Sequence, residues 1–251
     1  IFSGGKDISV GKPYFDSVTV PLAFFLAFFQ GFGILSNWSS RTTKPETLYA
    51  YFAILILMTI SFSVLFLKDI SLSITVTNLM ISSILAGLIY YSFLQIKNSR
   101  NINLSMVFSH FGIAVMILGI GLVSSLESQK ELIAFKEKSF ELGNYNITYL
   151  GEEKTIAQNF SSDEVSFQVK NLNKEFNLIA EKRYYPVSKS VMTEAAIYPS
   201  IKEDLYISIG DQVKEGWVVK AQLKPFVRFI WLGALIMAFG GFLSLFRLKS
   251  S

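Results

Sequence analysis

LSMVFSHFGIAVMILGIGLVSS, residues 104–125, runs for 22 residues without a formal charge. A helix rises about 1.5 Å per residue, so this stretch is long enough to cross a hydrocarbon core of roughly 30 Å. It carries His110, the single histidine of the chain. An ionisable group roughly 9 Å inside the boundary near Leu104 is costly without a partner or a task. Neutral imidazole ligates metals and haem, and it also hydrogen-bonds neighbouring membrane helices. Ala114, Ile117 and Gly121 share its helical face. Two of these are small, so a flat ligand fits against the backbone there, although small residues also mark helix-packing faces. On these residues alone both readings of His110 stand.

Other apolar runs surround this one. Residues 18–36, 48–67, 74–94 and 226–246 each read as a span, which makes five transmembrane helices with 104–125. Gln30 and Asn78 are polar side chains inside two of them, where amides act as modest interhelical glue. The composition agrees: 51% of residues are hydrophobic, 17% are charged and the mean hydropathy is +0.42. The absence of Cys excludes disulfides, zinc–thiolate sites, iron–sulfur ligation and thiol chemistry within this chain. One histidine leaves no Ser–His–Asp set in the polar region. Gly112, Gly119 and Gly121 read as packing positions rather than a phosphate loop. The basic residues are scattered, which argues against nucleic acid.

The net charge of +4 is unevenly spread. Residues 126–222 hold 12 Lys/Arg against 15 Asp/Glu, and the rest holds 11 against 4. Positive charge therefore gathers around the spans and suits contact with a lipid bilayer. The loops at 37–47 (Arg41, Lys44) and 95–103 (Lys97, Arg100) and the tail (Arg247, Lys249) fall on one side under strict alternation. The positive-inside rule makes that side cytoplasmic. The N-terminal segment, the turn at 68–73 and the region 126–222 are then expected outside. The chain starts at Ile1 without a secretory-signal pattern, so a processed chain or the later part of a longer protein is expected.

Residues 126–222 have a different texture. Runs at 146–150, 165–169, 176–180, 205–209 and 217–221 alternate apolar and polar residues, with Gly143, Gly151, Gly210 and Gly216 between them. Period two with glycine breaks predicts a small antiparallel β domain inserted between the last two helices. The expected organisation is a helical part over 1–125, a β-rich domain over 126–222 and a final helix with its tail over 223–251.

Three stretches remain. KPFVRFIWLG, residues 224–233, leads into the last span, and its Trp231 and Phe226 suit an interface belt. Arg228 reads there as a plain anchor to lipid headgroups or as a partner for a carboxylate such as a haem propionate. Residues 183–197 (RYYPVSKSVMTEAAI) read as an extended, loop-like run with Pro186. Residues 7–16 (DISVGKPYFD) read as a glycine–proline turn ahead of the first helix.

Together these stretches resemble the C-terminal half of the CcmF family of the cytochrome c maturation system. The resembling residues are ISVGKPYFD (8–16), SHFGIAVMILGIGL (109–122), TEAAI (193–197), DLYISIG (204–210) and KPFVRFIW (224–231), in the family's order. The resemblance implies a haem lyase subunit that joins haem to Cys thiols of apocytochrome c, with haem delivered by the chaperone CcmE and a CcmH-type subunit as partner. It also implies a membrane haem b held between two transmembrane histidines, with His110 as one axial iron ligand; Ala114 and Gly121 on its face and Arg228 by its chemistry are the further candidate cofactor contacts. The location implied is a bacterial inner membrane, or an organellar one, with the β domain in the periplasm. The family's tryptophan-rich WWD segment and its other haem-ligating histidines have no counterpart here. The N-terminal half of the same protein, or a separate subunit, is expected to supply them. A non-catalytic membrane scaffold or transporter subunit, and a b-type electron-transfer subunit, are the alternative readings.

Overall fold

The computed structural model describes residues 12–36, 44–65, 71–172 and 174–247. Four apolar helices come first: α1 (Lys12–Gly33), α2 (Pro45–Leu65), α3 (Leu72–Lys97) and α4 (Leu104–Leu126). Nine strands follow: β1 (Ser128–Phe135), β2 (Ser139–Leu142), β3 (Tyr145–Ile156), β4 (Ser161–Asn171), β5 (Lys174–Tyr185), β6 (Ser190–Glu194), β7 (Ala196–Tyr198), β8 (Glu203–Val213) and β9 (Gly216–Pro225). Helix α5 (Val227–Arg247) closes the chain. Two compact units result, a helical one and a β one, the latter spanning Leu122–Arg228.

In the helical unit Pro45–Val64, Leu72–Lys97, Leu104–Leu126 and Val227–Phe246 are each long and apolar enough to cross a membrane. The apolar part of α1, Ser17–Gly33, is shorter. This is a multi-pass membrane protein with five apolar helices. Helix α1 starts at Lys12 and not at 18, because Pro13 in its first turn is compatible with helix. Part of the glycine–proline turn expected at 7–16 is thus helical, and residues 7–11 lie outside the described residues. So do Arg41 and Lys249, which carried part of the loop-charge argument.

Without water, buried polar groups must find partners inside the protein. Ser83 of α3 is fully buried and donates to the Phe28 carbonyl of α1 at 2.7 Å. The Tyr51 hydroxyl of α2 meets the same Ser83 Oγ at 2.6 Å. One serine therefore ties three helices. Asn78 donates to the Thr59 carbonyl at 3.1 Å and to Ser63 Oγ at 2.9 Å, and its Oδ1 accepts from Ser82. Among the described residues no such bond holds the Gln30 side chain. It lines an open apolar groove with Leu22, Phe25, Leu26 and Phe29 of α1 and Ile113 of α4.

The β unit is an antiparallel sandwich. One sheet runs β1-β9-β8-β7 and the other β2-β3-β4-β5-β6. Alternate residues of β3, β4, β8 and β9 point inward, among them Ile147, Val165, Phe167, Leu205, Ile207, Val219 and Ala221, all fully buried. That is the period-two pattern of half-buried strands. The five alternating runs of the sequence lie within β3, β4, β5, β8 and β9. The loop reading of 183–197 is corrected: the stretch holds the end of β5, a turn, β6 and β7. Strand β6 is an edge with mostly exposed side chains and β7 is an edge of three residues, so neither shows the run of alternation that betrays a half-buried strand.

Candidate functional site

Helix α4 is set at its start by Asn103. Its backbone N–H donates to the Tyr91 hydroxyl at 3.1 Å, and its side chain accepts from Met106 N at 3.4 Å. The first bond ties the start of α4 to α3, and the second caps the helix. Two turns on, His110 is partly buried, with Nδ1 2.8 Å from the Met106 carbonyl oxygen. A carbonyl only accepts, so Nδ1 carries the hydrogen. In a neutral ring that leaves the Nε2 lone pair available. The Nδ1 bond stays within α4, and among the described residues no other helix holds the ring.

The faces of α4 are divided between neighbours. Ala114 and Ile117 are buried in a cluster with Met80, Ile81, Ile84 and Leu88 of α3. A Cβ on Gly121 would collide with the Thr77 side chain, also of α3. Ala114 and Gly121 therefore do not line an open backbone surface, because α3 occupies it. Gly112 and Gly119 face α5: a Cβ on Gly112 would meet Met237 N at 2.6 Å and the Gly233 carbonyl oxygen at 2.7 Å. Ser105 Oγ donates to the Gly240 carbonyl at 2.7 Å. Next along from His110, Ile113 belongs to the apolar groove shared with α1.

Arg228 belongs to the β unit, and His110, Ala114 and Gly121 belong to the helical one. Arg228 Nε donates to the Ser200 carbonyl at 2.6 Å. Among the described residues no three His, Cys, Asp or Glu side chains gather as a metal site. The donor set fits a haem iron on one side only: one imidazole with a free Nε2.

The β unit contains a polar network that sequence reading missed. Arg183 Nε donates to Glu181 Oε2 at 2.7 Å, its guanidinium lies 3.6 Å from Glu194, and it stacks over Phe160 at 4.7 Å. The Arg183 guanidinium holds the Glu181 carboxyl below the usual carboxylate range. Lys182 does the same for Asp211. Glu152 accepts from the Trp217 indole and from Gln212. Burial, with the nearby Glu152 charge, pushes the Tyr149 phenol up. Glu181 and Arg183 are neighbours on one face of β5, whereas Lys182–Asp211 and Glu152–Trp217 join residues far apart in sequence, and no spacing signals those.

Comparison with known proteins follows the same division. A family model described as the CcmF C-terminal beta-sandwich matches residues 125–225. The Cytochrome c-type biogenesis protein CcmF of Pseudomonas fluorescens is 30% identical over 254 residues, covering 96% of this chain and 38% of that protein. The protein of the same name from Escherichia coli is 32% identical over 252 residues, covering 97% of this chain and 39% of that protein. A solved structure titled Cytochrome c Heme Lyase CcmF shares the fold, with a TM-score of 0.71, 17% identity, and coverage of 92% of this chain and 40% of that one. The chain thus spans about two fifths of the length of the relatives it matches. Helices, sandwich and sequence agree from end to end, and the chain corresponds to the C-terminal part of the CcmF family of cytochrome c-type biogenesis proteins.

Proposed function

We propose that this chain is the C-terminal portion of a cytochrome c haem lyase and that His110 is one axial ligand of a membrane haem b. The observation that carries the reading is the orientation of the imidazole. Its Nδ1 is spent on the Met106 carbonyl of its own helix, which leaves Nε2 as a ligand atom. An interhelical hydrogen bonder would instead be tied to a neighbour, as Asn78 is. The apolar groove beside Ile113 suits the edge of a porphyrin. Haem, when bound, would supply a redox-active iron whose potential the axial ligand and the surrounding dielectric tune. The chain's own part is to present one imidazole at a fixed tautomer within apolar helices.

The second axial ligand comes from the N-terminal portion of the protein or from a separate subunit, which also brings the WWD segment. The β unit lies on the periplasmic face of a bacterial inner membrane. There it takes part in docking apocytochrome c, the haem chaperone CcmE and a CcmH-type subunit.

The test is pyridine haemochrome quantification on the assembled complex, wild type against His110→Ala. Loss of haem b with membrane insertion intact is the expected result. Unchanged haem content sinks the assignment and leaves His110 a packing residue of a scaffold.

A further inference from the structure

Paired strands of the β unit run antiparallel, β6 continues into β7 across a single residue, and the chain passes from α4 into β1 and from β9 into α5. The β2–β3, β4–β5 and β7–β8 connections therefore share the end of the sandwich from which the chain continues into the helices. Contacts agree. Phe226 N donates to the Lys202 carbonyl at 2.9 Å, and Arg228 Nε donates to the Ser200 carbonyl. The loop before β8 is thus bonded to residues at the threshold of the span Val227–Phe246. The β4–β5 turn lies beside it: Phe176 stacks on Tyr198 at 3.9 Å, and the Tyr145 hydroxyl interacts with both Asn171 and Glu203.

Two aliphatic side chains stand out from this rim. Leu172 in the β4–β5 turn is 88% exposed and Ile201 in the β7–β8 loop is 86% exposed. Neither covers any core. The carboxylates here are occupied: Asp204 accepts from Ser200 N, Glu203 meets Tyr145, and Glu175 pairs with Lys170. Lys174 and Lys202 are exposed, and Arg228 keeps its terminal nitrogens beyond the Nε bond. An aliphatic tip flanked by cations is the chemistry of the headgroup–acyl boundary, where apolar atoms enter the acyl region and ammonium groups meet phosphate.

We propose that the Leu172 turn and the Ile201–Lys202 loop are membrane-contact points of the β unit, with both aliphatic side chains inserted into the interfacial layer of the bilayer and Lys174, Lys202 and Arg228 set against phospholipid phosphates. The occupant is lipid, because the loop is hydrogen-bonded to the residues that begin a membrane span. The contact adds a second fixation of the sandwich on the membrane plane beside its covalent links to α4 and α5.

The chain has no cysteine, so a single introduced one reports one position. Val187 is 95% exposed and lies in the β5–β6 turn, at the opposite end of the strands. It is the internal control. The full chain would be reconstituted in nanodiscs containing phosphatidylglycerol, as Ile201→Cys, Leu172→Cys and Val187→Cys variants carrying an environment-sensitive fluorophore. The labels at 201 and 172 are expected to shift to the blue, to be quenched by lipids bearing a shallow nitroxide, and to resist aqueous iodide several-fold more than the label at 187. Iodide quenching at 201 and 172 equal to that at 187 overturns the proposal. Shielding from iodide without quenching by lipid also overturns it and points to a protein partner on this rim. An unchanged melting temperature of each variant verifies that the fold is intact.

Discussion

Ser83 offers one hydroxyl to two helices. It donates to Phe28 O and takes the Tyr51 hydroxyl as its other partner, and both side chains are buried. In Tyr51→Phe the Ser83–Phe28 bond survives and only the phenol bond is lost. Interhelical bonds of this kind contribute about 0.6 kcal/mol on average. The variant is therefore expected to lower the melting temperature in detergent by a small, measurable step, whereas Ser83→Leu, which meets the backbone of α1, prevents assembly of the helical unit. His110 and Asn78 were legible in the sequence because an ionisable group or an amide is conspicuous in an apolar run. Ser83 was not, because the spans hold several serines and only packing decides which one is buried. Ala114 and Gly121 share the periodicity of His110, but periodicity cannot tell a ligand face from a packing face, and α3 takes theirs.

At the level of elements, α4 and α5 meet through a heptad-like series in which Ser105, Ser109, Gly112, Met116 and Gly119 face Gly240, Met237, Gly233 and Ile230 in reverse order. Small residues let the two backbones approach closely, the main source of helix association where lipid is as apolar as leucine. Gly112→Leu or Gly233→Leu is expected to separate the pair and to cost more than 1 kcal/mol, since overpacking at backbone contacts costs about 1–3 kcal/mol. Gly241→Ala, with open space around it, is the neutral control; detergent melting curves of the variants check both. In the sandwich, Glu153, Glu164, Glu181 and Glu194 are successive cross-strand partners, so four carboxylates cross the sheet on one face. Like charges directly opposite destabilise a sheet. Arg183 offsets this by bridging Glu181 and Glu194. The hydrogen bond from Arg183 lowers the Glu181 pKa against the opposing cost of burial.

For the molecule as a whole, this sets the sign of an acid response. A carboxyl whose folded pKa is lowered stabilises the fold above its ordinary range, and that contribution disappears as the pH falls through the lowered value. Glu181→Gln is expected to be less stable than wild type at neutral pH, with the difference closing in acid as Glu181 itself becomes neutral. Trp217 is buried in the sandwich core, so indole fluorescence melts at several pH values read it out. A gap that persists in acid would exclude the ion pair as its cause. By itself the sequence determined the class of the molecule: five apolar stretches, an antiparallel β region between the last two, and one membrane histidine. These are local signals, since span length follows bilayer thickness and strand alternation follows the two-residue pleat. Tertiary structure alone decided the rest. It separated the face of α4 that packs on α3 from the ring that keeps Nε2 free, placed Arg228 in the β unit, and recovered β6 and β7 from an apparent loop. Each depends on which distant element covers a residue, and periodicity marks a buried face without naming what buries it.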